Sequence, residues 1–238
     1  MEVIPAIDIL GGKCVRLFQG DYEKETIFSN NPIEVARRWE LEGAKRLHVI
    51  DLDGAKAGNP VNSEVIVNIS QSVNLPVQVG GGIRDFKVVE SYIKNGVDRV
   101  IVGTAAVQNP SLICKTIEEF GEESIVVSID AKDGTVALEG WTKTSSMDVL
   151  ELLDSMVKTG LKRFMYTDIA RDGTLSEPNF ESIQTILASS TLNMLAAGGI
   201  SAIHDLDRLN KIGVEGAIVG RAIYTGDIVL SEVFDTIS

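Results

Sequence analysis

Two aspartates each end an apolar segment rich in β-branched residues, and their arrangement predicts an acid–base pair. Asp8 follows Val3-Ile4-Pro5-Ala6-Ile7, and Asp130 follows a similar apolar run 122 residues later. A carboxylate at the end of a buried strand is costly unless it is paired or used in chemistry. Two such carboxylates on opposite sides of a substrate can act as general base and general acid without sharing a proton. We therefore predict that Asp8 and Asp130 are catalytic; the alternative is that both cap loops by accepting backbone N–H groups.

Glycine-bearing segments recur at a separation of 117 residues and predict two anion sites. Gly81-Gly82-Ile83 returns as Gly198-Gly199-Ile200, and the segment 102–105 returns as 219–222. Glycine allows a backbone to approach a ligand closely, and the N-terminus of a following helix favours an anion. The doubling favours phosphate binding over turn geometry alone, and the chain lacks the Gly-Lys-Ser/Thr segment of a nucleotide-hydrolysing phosphate loop. The predicted phosphate-binding residues are Gly81, Gly82, Gly103, Thr104, Gly198, Gly199, Gly220 and Arg221.

Two further side chains are predicted to face the same site. Side chains alternate along a strand, so if residue 167 points inward, residue 165 does as well, and the 117-residue repeat then turns residues 50 and 48 inward. Thr167 would hold a reacting oxygen or orient Asp130. His48 would form hydrogen bonds with a ligand, the alternative being a satisfied histidine of the protein interior. His204, in a predicted helix, is expected at the surface.

Three residues of the connecting segments are weaker candidates for ligand contact. Arg16 lies in the first long connection and would reach a phosphate or a sugar ring, and Arg84 follows the first glycine segment. Trp141 would stack on a planar base. The alternatives are loop packing for the tryptophan and a solvated charge for each arginine.

The composition limits the class of partner. The 238 residues carry a formal net charge of −12, which disfavours nucleic acid, because binding a polyanion depends largely on Lys and Arg. No apolar run approaches the ~20 residues that span a bilayer, and no signal peptide is expected. The two cysteines lack a metal-ligand spacing. We expect a cytoplasmic protein that binds a small phosphorylated molecule, with no nucleic acid, membrane or metal partner.

Alternating β-branched and amphipathic segments predict one α/β domain over residues 1–238, a single (β/α)₈ TIM barrel. Its half-barrels would cover about 1–121 and 122–238, and a barrel complete in one chain suggests a monomer. A doubly wound open sheet is the alternative fold. Long connections at 9–30, 52–60, 131–146 and 169–178 follow strands, so they would lie at the catalytic end as candidate lids. Strands are predicted at about 2–8, 46–51, 76–80, 98–102, 124–130, 162–167, 192–197 and 215–219, and helices at 32–42, 61–72, 85–95, 110–120, 147–159, 179–189 and 202–211.

Several segments together resemble a known family over essentially the whole chain. It is that of the phosphoribosylformimino-5-aminoimidazole carboxamide ribotide isomerases of histidine biosynthesis. The segments are Ile4-Pro5-Ala6-Ile7-Asp8, Val15-Arg16-Leu17-Phe18-Gln19-Gly20-Asp21, His48-Val49-Ile50-Asp51-Leu52-Asp53-Gly54-Ala55, Gly80-Gly81-Gly82-Ile83-Arg84 and Tyr166-Thr167-Asp168-Ile169-Ala170-Arg171-Asp172-Gly173-Thr174.

The resemblance implies an Amadori rearrangement of an aminoaldose to an aminoketose, without a cofactor, on a ribotide with a phosphate at each end. It implies that Asp8 removes the C2 proton, that Asp130 protonates the ribose ring oxygen, and that Thr167 supports ring opening. Asp168 and Gly173 are then expected to bind substrate. Ser128 and Glu177 stand where the family more often has glycine, and neither is expected to contact a catalytic atom.

Three alternative functions stay open at this point. The cyclase subunit of imidazole glycerol phosphate synthase would share both aspartates and both phosphate sites, but it usually opens with Cys-Leu-Asp-Val, whereas this chain has Ala6-Ile7-Asp8-Ile9. A bifunctional isomerase would also accept phosphoribosyl anthranilate. A barrel that binds a phosphosugar without catalysis is the third, and loss of either aspartate would have favoured it.

Overall fold

Eight parallel strands close into a barrel in the computed structural model, which describes residues 1–132, 134–141 and 143–236. The strands of the described residues are β1 Glu2–Leu10, β2 Lys13–Phe18, β3 Asp21–Ser29, β4 Leu47–Asp51, β5 Val77–Gly80, β6 Arg99–Val102, β7 Ile125–Lys132, β8 Thr135–Leu138, β9 Lys143–Asp148, β10 Arg163–Asp168, β11 Asn193–Ala197 and β12 Gly216–Val219. The barrel follows the order β1-β4-β5-β6-β7-β10-β11-β12, and β12 pairs with β1. The (β/α)₈ prediction is confirmed. The open-sheet alternative is wrong because β10 pairs with both β7 and β11.

Helices surround the barrel and cover the outward side chains of the strands. Outward residues such as Ile7, Val49 and Phe164 belong to the main hydrophobic cluster, which they share with apolar helix positions such as Ile66 and Leu209. The helices are α1 Pro32–Leu41, α2 Leu52–Ala57, α3 Ser63–Ser72, α4 Phe86–Lys94, α5 Thr104–Gln108, α6 Ser111–Phe120, α7 Val149–Val157, α8 Phe180–Ala188, α9 Ile203–Ile212, α10 Arg221–Thr225 and α11 Leu230–Thr236. None of those within the described ranges is long and apolar enough to cross a membrane.

The barrel interior is a separate, smaller cluster of inward-facing apolar residues. It contains Ile4 and Ala6 of β1, Ile101 of β6 and Met165 of β10, with Ile50 packed against it. The inward orientation predicted for residues 48, 50, 165 and 167 is confirmed, because His48 and Thr167 line the cavity at the end of the barrel with the other two. This apolar layer forms the bottom of the cavity that the functional side chains line.

Two connections that were expected to be irregular loops are partly β-hairpins. β2 and β3 occupy most of the predicted loop 9–30, and β8 and β9 occupy half of 131–146. Each hairpin also pairs with the barrel strand before it: Ile9 of β1 pairs with Cys14, and Ala131 of β7 pairs with Val136. Both pairs are related by the same 122-residue offset as Asp8 and Asp130, so the internal repeat includes the hairpins. The helix expected from residue 147 starts at Val149 because β9 ends at Asp148.

Ion pairs close the opposite end of the barrel. The buried guanidinium of Arg163 holds Glu215 through two hydrogen bonds, of 2.8 and 2.7 Å, and contacts Glu123 at 2.5 Å. Arg46 pairs with Glu2 and Asp98. Residues at this face of a TIM barrel typically serve stability, and those at the carboxyl ends of the strands serve function.

Candidate active site

Most of the predicted site residues meet in two adjoining cavities at the carboxyl ends of the barrel strands. The larger, of about 200 Å³, is lined by Asp8, Arg16, His48, Gly81, Gly82, Arg84, Gly103, Thr104, Asp130, Trp141 and Thr167, among others. The smaller, of about 40 Å³, is lined by Arg16, Gly173, Gly198, Gly199, Gly220 and Arg221, among others. Arg16 borders both cavities. Asp168 borders neither.

A buried arginine joins two carboxylates between the cavities. Arg16 Nη1 lies 2.7 Å from Asp8 Oδ2, and Arg16 Nη2 lies 3.5 Å from Asp172 Oδ1. The antiparallel pairing of Asp8 with Val15 brings the backbone of the next residue, Arg16, close to Asp8, and the long arginine side chain reaches the carboxylate. The guanidinium also lies against Gly220, where a Cβ atom would approach Arg16 Cζ to 2.4 Å. Gly220 therefore makes room for this arginine.

Burial sets the acidity of these carboxyl groups. Desolvation raises the pKa of Asp8 to about 6, although the positive charge of Arg16 opposes the shift. Burial also raises the pKa of Asp172, Arg16 opposes that shift, and the neighbouring Asp130 adds to it. A carboxylate with a pKa near 6 is mostly ionised at neutral pH and still basic enough to accept a proton, which suits a general base.

Asp130 is held by a hydroxyl group rather than by a cation. Ser128 Oγ donates a hydrogen bond of 2.9 Å to Asp130 Oδ1. The two residues are neighbours on the inward face of β7, and Asp130 pairs in register with Thr167 on β10. The expectation that Ser128 contacts no catalytic atom is therefore wrong. Glu177 is exposed and lines neither cavity, in agreement with the expectation for that residue.

His48 is fixed one layer below the carboxylates by a glutamine that the sequence did not single out. His48 Nδ1 lies 2.8 Å from Gln78 Nε2, and both side chains are buried. Burial, with a smaller contribution from the charge of Arg16, lowers the pKa of His48 to about 3. The imidazole is therefore neutral at physiological pH. With Nδ1 accepting from the amide, its proton lies on Nε2, on a residue that lines the cavity.

The first predicted anion site lies in the larger cavity. Gly81 has φ +100°, and a Cβ atom there would lie 2.1 Å from the carbonyl oxygen of Asp51. Thr104 Oγ1 accepts a hydrogen bond of 2.8 Å from the backbone N–H of Glu139, which leaves its own O–H able to donate to an anion. The guanidinium of Arg84 lies beside Gly58, where a Cβ atom would approach it to 2.8 Å.

The second predicted anion site repeats this construction in the smaller cavity. Gly198 has φ +91°, and a Cβ atom there would lie 2.7 Å from the carbonyl oxygen of Asp168. Arg221 Nη1 donates a hydrogen bond of 2.8 Å to the carbonyl oxygen of Gly173. This contact joins the segment after β12 to the connection after β10.

Asp168 anchors the connection that follows β10, and its role in substrate binding stays a prediction. Its carboxylate accepts hydrogen bonds from Ala170 N at 3.0 Å and from Asn179 Nδ2 at 2.8 Å. Asp51, 117 residues earlier, likewise accepts from Asn62 Nδ2, at 2.7 Å. With their oxygens turned to the backbone and the asparagine, both carboxylates shape the connections that follow β4 and β10.

Trp141 lies across the mouth of the larger cavity. A Cβ atom on Gly20 would lie 2.2 Å from the indole, so the tip of the β2–β3 hairpin passes directly against the ring. Gly140 lies near the Tyr22 hydroxyl and the carbonyl group of Ala55. The tryptophan therefore belongs to a cover built from the connections after β1, β4 and β7.

Asp172 and Ser128 are the site residues that the sequence analysis missed. The same period-two argument that turned His48 inward would have placed Ser128 beside Asp130. Asp172 stood inside a quoted segment, but nothing in its spacing linked it to Arg16, which is 156 positions away in the chain. Across the described ranges, no three His, Cys, Asp or Glu side chains are grouped so that they could hold a metal ion.

Comparisons with known proteins agree on one family. The family model described as histidine biosynthesis protein matches residues 2–229. A protein of Dehalococcoides mccartyi (strain CBDB1) is 53% identical over 238 residues, which cover 100% of this chain and 97% of the relative. A protein of Roseiflexus sp. (strain RS-1) is 50% identical over 232 residues, 98% of each chain. Both are named 1-(5-phosphoribosyl)-5-((5-phosphoribosylamino)methylideneamino)imidazole-4-carboxamide isomerase.

Proposed function

Because this chain belongs to the histidine biosynthesis protein family, we propose that it catalyses the isomerisation named for its relatives. The enzyme is an aldose–ketose isomerase that converts an aminoaldose into an aminoketose by an Amadori rearrangement. One observation supports this most strongly: two symmetry-related aspartates line one cavity, between two symmetry-related glycine sites. The name of the relatives contains two phosphoribosyl groups, and each glycine site would take one phosphate.

Substrate binding would use both anion sites at once. One phosphate would lie at Gly81, Gly82, Gly103 and Thr104, where Thr104 has a hydroxyl proton to donate. The other would lie at Gly198, Gly199, Gly220 and Arg221. The reacting sugar then spans the centre of the barrel mouth, beside Asp8 and Asp130. Trp141 would cover the planar imidazole.

The reaction is a relocation of protons, and it requires both an acid and a base. Asp130 would protonate the ribose ring oxygen while the C1–O bond breaks, and the nitrogen lone pair would form a Schiff base with C1. Asp8 would then remove the proton from C2, giving an enaminol that collapses to the ketone as C1 gains a proton. Thr167, next to Asp130 in register, would hold the ring oxygen during the first step.

The surroundings of the two aspartates support this division of roles. Asp8 faces the Arg16 guanidinium, which stabilises its ionised form and suits a base. Asp130 has a neutral hydroxyl as its hydrogen-bonded neighbour. His48 would donate from Nε2 to a sugar oxygen. The cyclase and bifunctional alternatives are not favoured, because the relatives carry the name of the isomerase.

The cellular setting that we propose follows from the same activity. A biosynthetic isomerase acting on a small bisphosphorylated ribotide would work in the cytoplasm, as a monomer, since the barrel mouth is built from one chain. No nucleic acid or membrane partner is proposed.

Turnover of the formimino ribotide, followed by absorbance without added cofactor, tests the proposed activity. We expect isomerisation by the wild-type protein and none by the double variant Asp8→Asn/Asp130→Asn, which serves as the blank for contaminating enzyme. Ammonia-dependent cyclisation of the aminoketose without isomerisation would instead support the cyclase. Ligand binding without either reaction would support a non-catalytic barrel.

A further inference from the structure

Within the part of the chain that the structure describes, Ser128 is the only side chain that forms a hydrogen bond with the Asp130 carboxylate. Its hydroxyl donates to Oδ1 at 2.9 Å, and the second carboxylate oxygen, Oδ2, has no recorded partner within that part of the chain. Both residues line the larger cavity. Oδ1 of the proposed acid therefore accepts a hydrogen bond from Ser128, while Oδ2 is available to a ligand.

The geometry of β7 places the Ser128 hydroxyl beside the Asp130 carboxylate. Ser128 and Asp130 lie two residues apart on β7, so their side chains project from the same face of the strand. A Cβ atom on Gly103 would lie 3.8 Å from the Ser128 carbonyl oxygen and 3.9 Å from its Cβ, so the segment of the first anion site packs beside the serine. Ser128 is therefore packed beside that segment while its hydroxyl donates to the carboxylate.

The internal repeat makes this hydrogen bond a difference between the two halves of the barrel. The position 122 residues before Ser128 is Ala6, which has no side-chain donor for Asp8. The position 122 residues after Arg16 is Leu138, which is partly buried and lines the cavity. Each aspartate therefore has one polar neighbour that the other lacks: a cation for Asp8 and a hydroxyl for Asp130.

We propose that Ser128 is a positioning residue that holds Oδ1 of Asp130, so that Oδ2 carries the proton delivered to the ribose ring oxygen. The inference rests on the proposed function. The same Ser128 O–H donates to Oδ1 whether Asp130 is protonated on Oδ2 or ionised. Because hydrogen bonds to charged acceptors are stronger than those to neutral ones, the contact tightens as the proton leaves, which assists proton transfer. The C1–O bond breaks at the same time, and its electron pair becomes the new hydroxyl group.

The Ser128→Ala variant tests this role. We expect kcat to fall by about tenfold, the loss of one hydrogen bond in the transition state, with KM nearly unchanged. The matched control is Ser70→Ala, which removes a comparable hydroxyl bonded at 2.7 Å to the Gly96 carbonyl, away from the site, and should leave kcat unchanged.

A double-mutant cycle separates positioning from packing. In an Asp130→Asn background, Ser128→Ala should have no further effect on the residual rate. Asparagine has no carboxyl proton for the Ser128 hydroxyl to position. An equal tenfold loss in both backgrounds, or a wild-type kcat for Ser128→Ala, would overturn the positioning role and leave the isomerase assignment intact. Failure of the wild-type protein itself to isomerise the ribotide would overturn the proposed function, and this inference with it.

Discussion

Asp8 and Asp130 occupy equivalent places in the two half-barrels, yet they face different chemical groups. Asp8 has the cation Arg16 at 2.7 Å and Ala6 below it; Asp130 has the hydroxyl of Ser128 at 2.9 Å. The equivalent of Arg16 in the second half is the apolar Leu138. The repeated backbone thus supplies two matching carboxylates, and the residues around them make one suited to base and the other to acid chemistry.

The structural parts of the repeat differ much less. Asp51 and Asp168 each accept a hydrogen bond from the asparagine eleven residues later, Asn62 and Asn179. Gly81 and Gly198 each bring the next strand end against the carbonyl group of one of these aspartates. The residues that shape loops are therefore the same in the two halves, whereas the residues beside the catalytic aspartates differ.

Leu138→Arg should have the largest effect, because it gives the second half the cation of the first. A positive charge placed in the cavity beside Asp130 would favour the ionised carboxylate, so the proposed acid would deliver its proton less readily. We expect kcat to fall about 100-fold in the ribotide assay. Leu138→Met, of similar volume and uncharged, is the control; equal rates for the two variants would contradict the comparison.

Removing the cation of the first half should shift the pH profile. Asp8, with a pKa of about 6, must be ionised to act as a base, so activity in the wild-type protein should fall as the pH drops through about 6. Arg16 opposes the upward shift, so Arg16→Met should move this acidic limb to higher pH and reduce the rate at pH 6 by about tenfold. An acidic limb that stays in place or moves down would show that Asp8 is not the base.

The loop anchors should affect stability rather than the division of roles. Asn62→Ala and Asn179→Ala each leave a buried or partly buried carboxylate with one donor fewer, and each should lower the free energy of unfolding by about 1–3 kcal/mol. Urea unfolding would measure the loss. Asn95→Ala is the control, because that amide is exposed and donates to the Ser91 carbonyl group of its own helix rather than to a carboxylate. A large loss at one anchor and none at the other would break the structural part of the repeat.

The barrel and most of its site could be predicted from the sequence because both depend on local periodicity. Strand ends, glycine pairs and the two offsets placed Asp8, Asp130 and both anion sites at one mouth. The contact of Arg16 with Asp172 could not be predicted, since the two residues are 156 positions apart in the chain and follow different barrel strands. The loop-anchoring contacts of Asp168 were not predicted, because a strand-end carboxylate that anchors a loop has the same local pattern as one that faces a ligand. The hairpins at 13–29 and 135–148 were not predicted, although Gly11-Gly12 precedes the first and Asp133-Gly134 precedes the second, and both pairs are typical of tight hairpin turns.

The isotope effect at C2 of the ribotide tests the division of roles most directly. It compares substrate carrying deuterium at C2 with ordinary substrate, in Asp8→Asn and Asp130→Asn. In Asp8→Asn, removal of the C2 proton should limit the rate and give a large primary isotope effect on kcat. In Asp130→Asn, ring opening should limit the rate and bring the isotope effect close to one. The reverse pattern, or the same isotope effect in both variants, would contradict the assignment of Asp8 as base and Asp130 as acid.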